Sequence, residues 1–446
     1  MTVSMRMRVL LGVAVVAVPA AVAAQPGAGD AASAAQPAVQ PLPVVPPQPE
    51  LLSDADAPMQ WSKADADALL SLIEGIGSEG LFSSDYQMQG LAAAIAEGEG
   101  DALNEQATRS FSWLIEDLRD GRTPMEARKQ WFVVDPDPDV LPTRNVMAEA
   151  LTSGDIAGVV AKLAPSVPDY AALKQALAET PKANKARIAL IRANMDRWRW
   201  LAKDLGSQYL LTNVPEYQLR LTVNNKIIRT YRTIVGKPGR TATPQLAEVV
   251  EGVIFNPTWT VPQSIVKGEG LGARLLANPA SARAQGYAVT KGANGFVNVV
   301  QQPGPTNSLG LMKLDMPNEH AIFLHDTPSR HLFDKEDRAL SHGCIRTEGA
   351  QVLAITMAML GKGATKEEAA AISASGKYTK VPLQKTFPVY ITYFTMGRDI
   401  NGQLTTFNDI YGRDAPVLAS FDQPRVSNRA RKTDEEVVEI VDDLQI

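Results

Sequence analysis

Apolar residues recur at helical spacing through residues 51–205 and at the two-residue spacing of strands from about Ser207 onward. That switch predicts an α+β chain in which helices and strands are segregated, with a mainly helical domain over 51–205 and a mainly β domain over 206–415. In the first, Ser62 and Asp65 make a capping box ahead of a helix over 66–73. Phe111, Leu114, Ile115 and Leu118 form one helical stripe that stops at Gly121; Ile188, Ile191, Met195, Trp198 and Leu205 form another. These stripes read as core, with Trp198 and Trp200 at a domain interface. In the second domain, Tyr217, Leu219, Leu221 and Val223 alternate, and Asn224-Asn225 offers a hairpin turn into 227–235. Further strands are expected at 249–261, 321–324, 387–394 and 405–407, with helices at about 348–360 and 366–372. A weakly patterned Gly/Ala-rich insertion at about 262–290 reads as a mobile lid.

The flanks read differently. Arg6 and Arg8, an apolar run over 9–18 and small residues over 20–24 predict a signal peptide over 1–24. Seven prolines among Ala, Gln and Val make residues 25–50 a Pro/Ala-rich linker. No later stretch has about 18 uncharged apolar residues in a row, so no membrane span is expected after cleavage. The net charge of −5 argues against a nucleic-acid partner bound by phosphate neutralisation. Residues 416–446 lose periodicity and end in Asp434-Glu435-Glu436 and Asp442-Asp443, which reads as an acidic flexible tail.

All four histidines (His320, His325, His331, His342) and the one cysteine, Cys344, fall within 25 positions of each other. One cysteine excludes an intramolecular disulfide scaffold, and in an exported chain an idle thiol is a liability. A cysteine becomes a good nucleophile as a thiolate, which needs a nearby imidazolium, backbone N–H groups or a helix N-terminus. The sequence offers all three: His325 closes a strand 19 positions upstream, Gly343 allows a tight turn with N–H groups aimed at an oxyanion, and a helix starts near Thr347-Glu348. No H-E-x-x-H or C-x-x-C spacing is present, so no metal and no cofactor are expected.

Ser341-His342-Gly343-Cys344-Ile345-Arg346, with a 15-residue spacer (326–340) after His325, resembles the active-site signature of L,D-transpeptidases with the YkuD-type catalytic domain. Val235-Gly236-Lys237-Pro238, Thr243-Pro244, residues 256–262, Gly304 to Gly310, His325-Asp326-Thr327-Pro328 and Asp409-Ile410-Tyr411-Gly412 resemble its long YcbB-like subgroup. The helical stretch with Trp61, Asp85-Tyr86 and 194–201 resembles that subgroup's scaffold. The resemblance implies a peptidoglycan enzyme in the periplasm of a Gram-negative-type envelope. Cys344 would attack the meso-diaminopimelate–D-Ala bond of a tetrapeptide stem, expel D-Ala, and pass the acyl group to a diaminopimelate amine of a second stem as a 3→3 crosslink. His325 would be base and imidazolium partner, the N–H groups of Gly343 and Cys344 the oxyanion hole, and Ser341 and His342 would shape the loop. Arg346 would hold the acidic donor stem, with Ser341, Trp259, Phe323 and Asn307 at the substrate. Carbapenems would acylate Cys344.

Three departures stand out. Subgroup members often carry Tyr two residues before the histidine, where this chain has Phe323; some carry a second serine where this chain has His342; and the peptidoglycan-binding insertion expected before the 194–201 segment is missing between Tyr170 and Lys185. The same fold also serves hydrolysis by an L,D-carboxypeptidase and attachment of a lipoprotein lysine to the wall. A non-catalytic wall-binding protein with an incidental thiol is the alternative of another class.

Overall fold

The computed structural model describes residues 57–268, 270–426 and 430–437. The expected signal peptide and linker lie outside the described residues. In the helical half, Ser62 caps the helix Lys63–Gly75 by accepting the Asp65 N–H at 3.1 Å. That helix joins Met88–Glu97, Asp101–Asp120, Thr143–Ser153 and Ile156–Ala161 around Trp61, Leu69, Ile73, Leu91, Phe111 and Leu114. The stripe residues Phe111, Leu114, Ile115 and Leu118 are all buried, and the helix ends before Gly121.

The helix Lys185–Trp198 joins this bundle to the sheet. Trp198 stacks on Phe394 with ring centroids 4.2 Å apart, and Trp200 meets Trp131 edge-on at 5.3 Å. Both indoles thus serve the junction, in a cluster with Leu201, Tyr209, Leu211 and Tyr390.

The sheet begins with β1 (Gln208–Asn213), β2 (Gln218–Val223) and β3 (Lys226–Gly236), an antiparallel meander. Asn224 and Asn225 take φ of 48° and 60°, the left-handed pair that a two-residue hairpin turn requires. β4 (Leu246–Phe255) leads into an insertion bearing β5 (Trp259–Thr260), β6 (Tyr287–Lys291) and β7 (Val297–Gln301). The chain continues through β8 (Met312–Asp315), β9 (Leu324–His325), β10 (Ala339–Ser341), β11 (Ile345–Thr347) and β12 (Thr379–Thr392), then a small hairpin of β13 (Met396–Arg398) and β14 (Leu404–Thr406). The main sheet has nine strands in the order β10-β3-β11-β9-β8-β4-β12-β1-β2, and the pairing of β2 with β3 closes it on itself. Its core holds Leu219, Leu221, Val253, Phe255, Leu314 and Leu324, and the helix Ala350–Leu360 is packed on β4, β8 and β12.

The expected lid and tail segments carry more structure than their sequences show. The insertion at about 262–290 is ordered into helices Leu271–Ala277 and Pro279–Ala284 beside the sheet β5-β7-β6, with a core of its own: Trp259, Val261, Ile265, Leu271, Leu275 and Val299. Helices of one or two turns are too short to show a stripe in sequence. The described part of the 416–446 segment makes contacts as well. Asp414–Phe421 is a helix with Val417 and Ser420 buried, Arg425 reaches Glu116 at 2.7 Å and Asp117 at 3.0 Å, and Arg431 reaches Asp139 at 2.9 Å. Charges that look solvated in sequence are here partners of helix residues some three hundred positions earlier. Among the described residues no helix is long and apolar enough to cross a membrane.

Candidate active site

Strand register assembles the site. β9 runs parallel to β11 with Leu324 opposite Ile345 and His325 opposite Arg346, while β8 runs antiparallel to β9 with Lys313 opposite His325. The Ile345 N–H donates to the Phe323 carbonyl at 3.0 Å, carrying the pairing one residue further. Paired residues and alternate residues share a face of a sheet. Lys313, Phe323, His325, Cys344 and Arg346 therefore project from one face. The contacts agree: the Phe323 and His325 rings lie 5.5 Å apart, and Lys313 Nζ stands 3.7 Å from the centre of the Phe323 ring. Cys344, half-buried, points its Sγ at the Ala321 carbonyl at 3.7 Å.

His325 is 5% exposed and its Nδ1 lies 2.5 Å from the Asp326 carbonyl. A carbonyl only accepts, so Nδ1 carries the proton and Nε2 is the basic nitrogen. Burial pushes the His325 pKa down to about 3; the charges of Arg346 and Lys313 push the same way, against the carbonyls of Asp326 and Leu309. The resting imidazole is thus neutral.

The loop around the cysteine is pinned from several sides. Ser341 Oγ donates to the Cys344 carbonyl at 2.6 Å and accepts the Gly343 N–H at 3.2 Å. Gly343 takes φ of 119°, a left-handed conformation that a side chain would strain. Thr243 Oγ1 donates to the Gly343 carbonyl at 2.8 Å and accepts the Gly236 N–H at 2.9 Å. Tyr411 donates its hydroxyl to the Gly236 carbonyl at 2.5 Å and accepts the Thr243 N–H at 3.2 Å. Gly236 must lack a side chain, because a Cβ there would come within 1.9 Å of the Thr241 carbonyl.

Several expected site residues are placed elsewhere. Asn307 is 0% exposed and its amide donates to the carbonyls of Pro257, Gln301 and Gln302, so it ties down the insertion. Trp259 is buried in the insertion's core, where its large apolar ring packs with Val261, Ile265, Leu271 and Leu275. Ser341 is buried and serves the loop. The Gly343 N–H is already engaged by Ser341, and the helix expected just behind the cysteine starts only at Ala350, beyond β11. Phe323 is half-buried at the seam between the main core and the insertion's core. His342 is buried and Arg346 half-exposed. His320 packs on Phe132 at 4.2 Å, and His331 is exposed. Thr243 and Tyr411 carry the only sequence signal among the residues missed, through the segments that resemble the family; Lys313 carries none. Among the described residues no group of three or more His, Cys, Asp or Glu could share a metal ion.

Residues 207–367, which contain the whole of this face, match the L,D-transpeptidase catalytic domain family, YkuD, and residues 54–177 match the Scaffold domain family. The chain carries a YkuD-type L,D-transpeptidase catalytic domain. A Haemophilus influenzae protein provisionally named an L,D-transpeptidase is 31% identical over 223 residues, which are 47% of this chain and 45% of that protein. The chain thus spans about half the length of the curated relative it matches. Among solved structures, an L,D-transpeptidase from Mycobacterium smegmatis covers 42% of this chain and 58% of its own, at 13% identity and a TM-score of 0.21. L,D-transpeptidase 1 of Mycobacterium tuberculosis covers 43% and 63%, at 12% identity and a TM-score of 0.19. The YkuD domain draws support from outside its matched range, since Tyr411 reaches back to Gly236.

Proposed function

We propose that this protein is an exported peptidoglycan L,D-transpeptidase of the long YcbB-like kind, with Cys344 as its nucleophile. The observation that carries the reading is the shared sheet face inside the YkuD domain, where the one cysteine stands with a buried, neutral histidine and two cations. In acylation the Cys344 sulfur attacks the carbonyl of the meso-diaminopimelate–D-Ala bond. The C–N bond breaks, and the thiol proton passes through His325 Nε2 to the departing D-Ala amine. In transfer a diaminopimelate amine of a second stem attacks the thioester; its proton returns through His325 to sulfur, and a 3→3 crosslink results. The half-exposed Arg346 guanidinium suits a carboxylate of the donor stem. The tight turn at Gly343 favours a small oxyanion site once the carbonyl of a substrate competes with Ser341 for its N–H.

The test is incubation with disaccharide-tetrapeptides, followed by mass spectrometry of the muropeptides. D-Ala release with tetrapeptide crosslinks is expected, and Cys344→Ala should lower the rate by roughly 10⁴-fold or more. Intact mass after incubation with a carbapenem should rise by one adduct in the wild-type protein only. Release of D-Ala by Cys344→Ala at the wild-type rate would sink the reading. Free tripeptides without crosslinks would reassign the reaction to hydrolysis.

A further inference from the structure

We propose that the Lys313 ammonium, seated over the Phe323 ring and opposite His325, is the cation that stabilises the Cys344 thiolate. The proposal rests on the reading of Cys344 as nucleophile and adds a group that neither the sequence nor the family signature points to.

The geometry is built from three neighbouring strands. Lys313 of β8 faces His325 of β9 across the ladder, and β9 is followed in the sheet by β11, which begins directly after Cys344. The Phe323 ring lies between, 3.7 Å from Lys313 Nζ and 5.5 Å from the His325 ring. Cation–π attraction thus holds an otherwise flexible ammonium in place. Lys313 is half-buried, so its field is poorly screened by water, and the Cys344 charge acts on it directly. Burial lowers the Lys313 pKa and the cysteine raises it, the mark of two groups that favour each other's charged forms.

The other candidates on this face do less. His325 is held neutral, so it offers no positive charge to a resting thiolate. Other ionisable groups on these strands and loops are Asp315 on β8, paired with Lys380 of β12 at 2.5 Å; Asp326 beside His325, 3.5 Å from Arg330; Glu319 and His320 just before Ala321; and His342 and Arg346 of the cysteine's own loop and strand. Arg346, of the same intermediate exposure as Lys313, adds to the positive field from the cysteine's own strand. In the step itself the S–H bond breaks, the electron pair stays on sulfur, and the proton goes to water or to His325 Nε2. Lys313 keeps its protons throughout. Phe323 gains a purpose here: its ring seats the cation.

The test reads ionisation of the thiol without requiring turnover. Alkylation of the folded protein by iodoacetamide is followed from pH 5 to 10. Lys313→Met should move the midpoint up by about 1–2 pH units, and Lys313→Arg should restore most of it. An unchanged midpoint in Lys313→Met would overturn the proposal. Should that variant not fold, the unmutated protein decides. The Lys313 Nζ titration, followed by NMR, should move to lower pH once Cys344 is carbamidomethylated, and an unmoved titration overturns the proposal equally. A shifted alkylation midpoint in a protein that forms no crosslinks would keep the Lys313–Cys344 pair while refuting the transpeptidase reading.

Discussion

Asp196 in the scaffold anchor and His325 on the catalytic face are both almost wholly buried, and the protein treats their charges in opposite ways. Asp196 keeps its charge. It accepts N–H bonds from Arg122 at 2.7 Å, Thr123 at 2.9 Å and Trp200 Nε1 at 3.0 Å, and lies 3.5 Å from Arg199. Burial opposes that charge, but Arg199 and the donors outweigh it and hold the carboxyl below its usual range. Nearby, Arg197 reaches Asp414 at 2.6 Å. On the catalytic face cations are gathered around an imidazole that burial and their own charge keep neutral. Paired burial makes a rigid joint between helices and sheet. Gathered cations make a surface that favours an anion.

This contrast can be broken at its strongest point with Asp196→Ala. Removing one partner strands Arg199 and three N–H donors, so unfolding free energy should fall by about 3–5 kcal/mol in denaturant melts. Activity per folded molecule should be retained. Thr243→Val is the corresponding change beside the cysteine. It leaves the Gly343 carbonyl and Gly236 N–H without their hydroxyl partner, and a loss of about 1–3 kcal/mol is expected. Here the acylation rate should drop as well, because the displaced loop carries Cys344.

Titration separates the two regions by sign. The folded pKa of His325 lies near 3, below an ordinary histidine at 6.5, so its share of stability is present above pH 6.5 and is lost as pH falls toward 3. Burial raises Asp135 on the scaffold side from 3.8 to about 7, so its share is present at low pH and lost as pH rises between those values. Denaturation midpoints across pH 3–8 should show His325→Gln flattening the acid limb and Asp135→Asn flattening the opposing slope, each by at most about 1.4 kcal/mol per pH unit. The smallest effect belongs to Arg431→Ala. Its exposed pair with Asp139 should contribute no more than about 0.5 kcal/mol.

Much of this architecture can be read from residue patterns because the cues are local. The stripe ending at Gly121, the Asn224-Asn225 turn and the Ser341–Arg346 signature each fit within a dozen residues, and the first two have their expected structure. Other features are long-range and leave no local trace. Thr243 finds Gly343 across 100 positions, and Tyr411 finds Gly236 across 175. Lys313 looks like any strand lysine until the register sets it opposite His325. Trp259 and Asn307 show a related limit: large aromatics and amides suit a substrate site and a small core equally well, and their burial leaves no mark in the sequence.

The C-terminal segment bears on how the chain is made. Arg425 completes the charge of Asp117 across 308 positions, and Arg122 donates to the carbonyls of Ser420 and Gln423 across about three hundred. At translation rates of ~5–20 residues per second, the helix Asp101–Asp120 therefore waits roughly 15–60 s for its last partners. The final turns act as a clasp that closes only after the rest of the molecule has arrived.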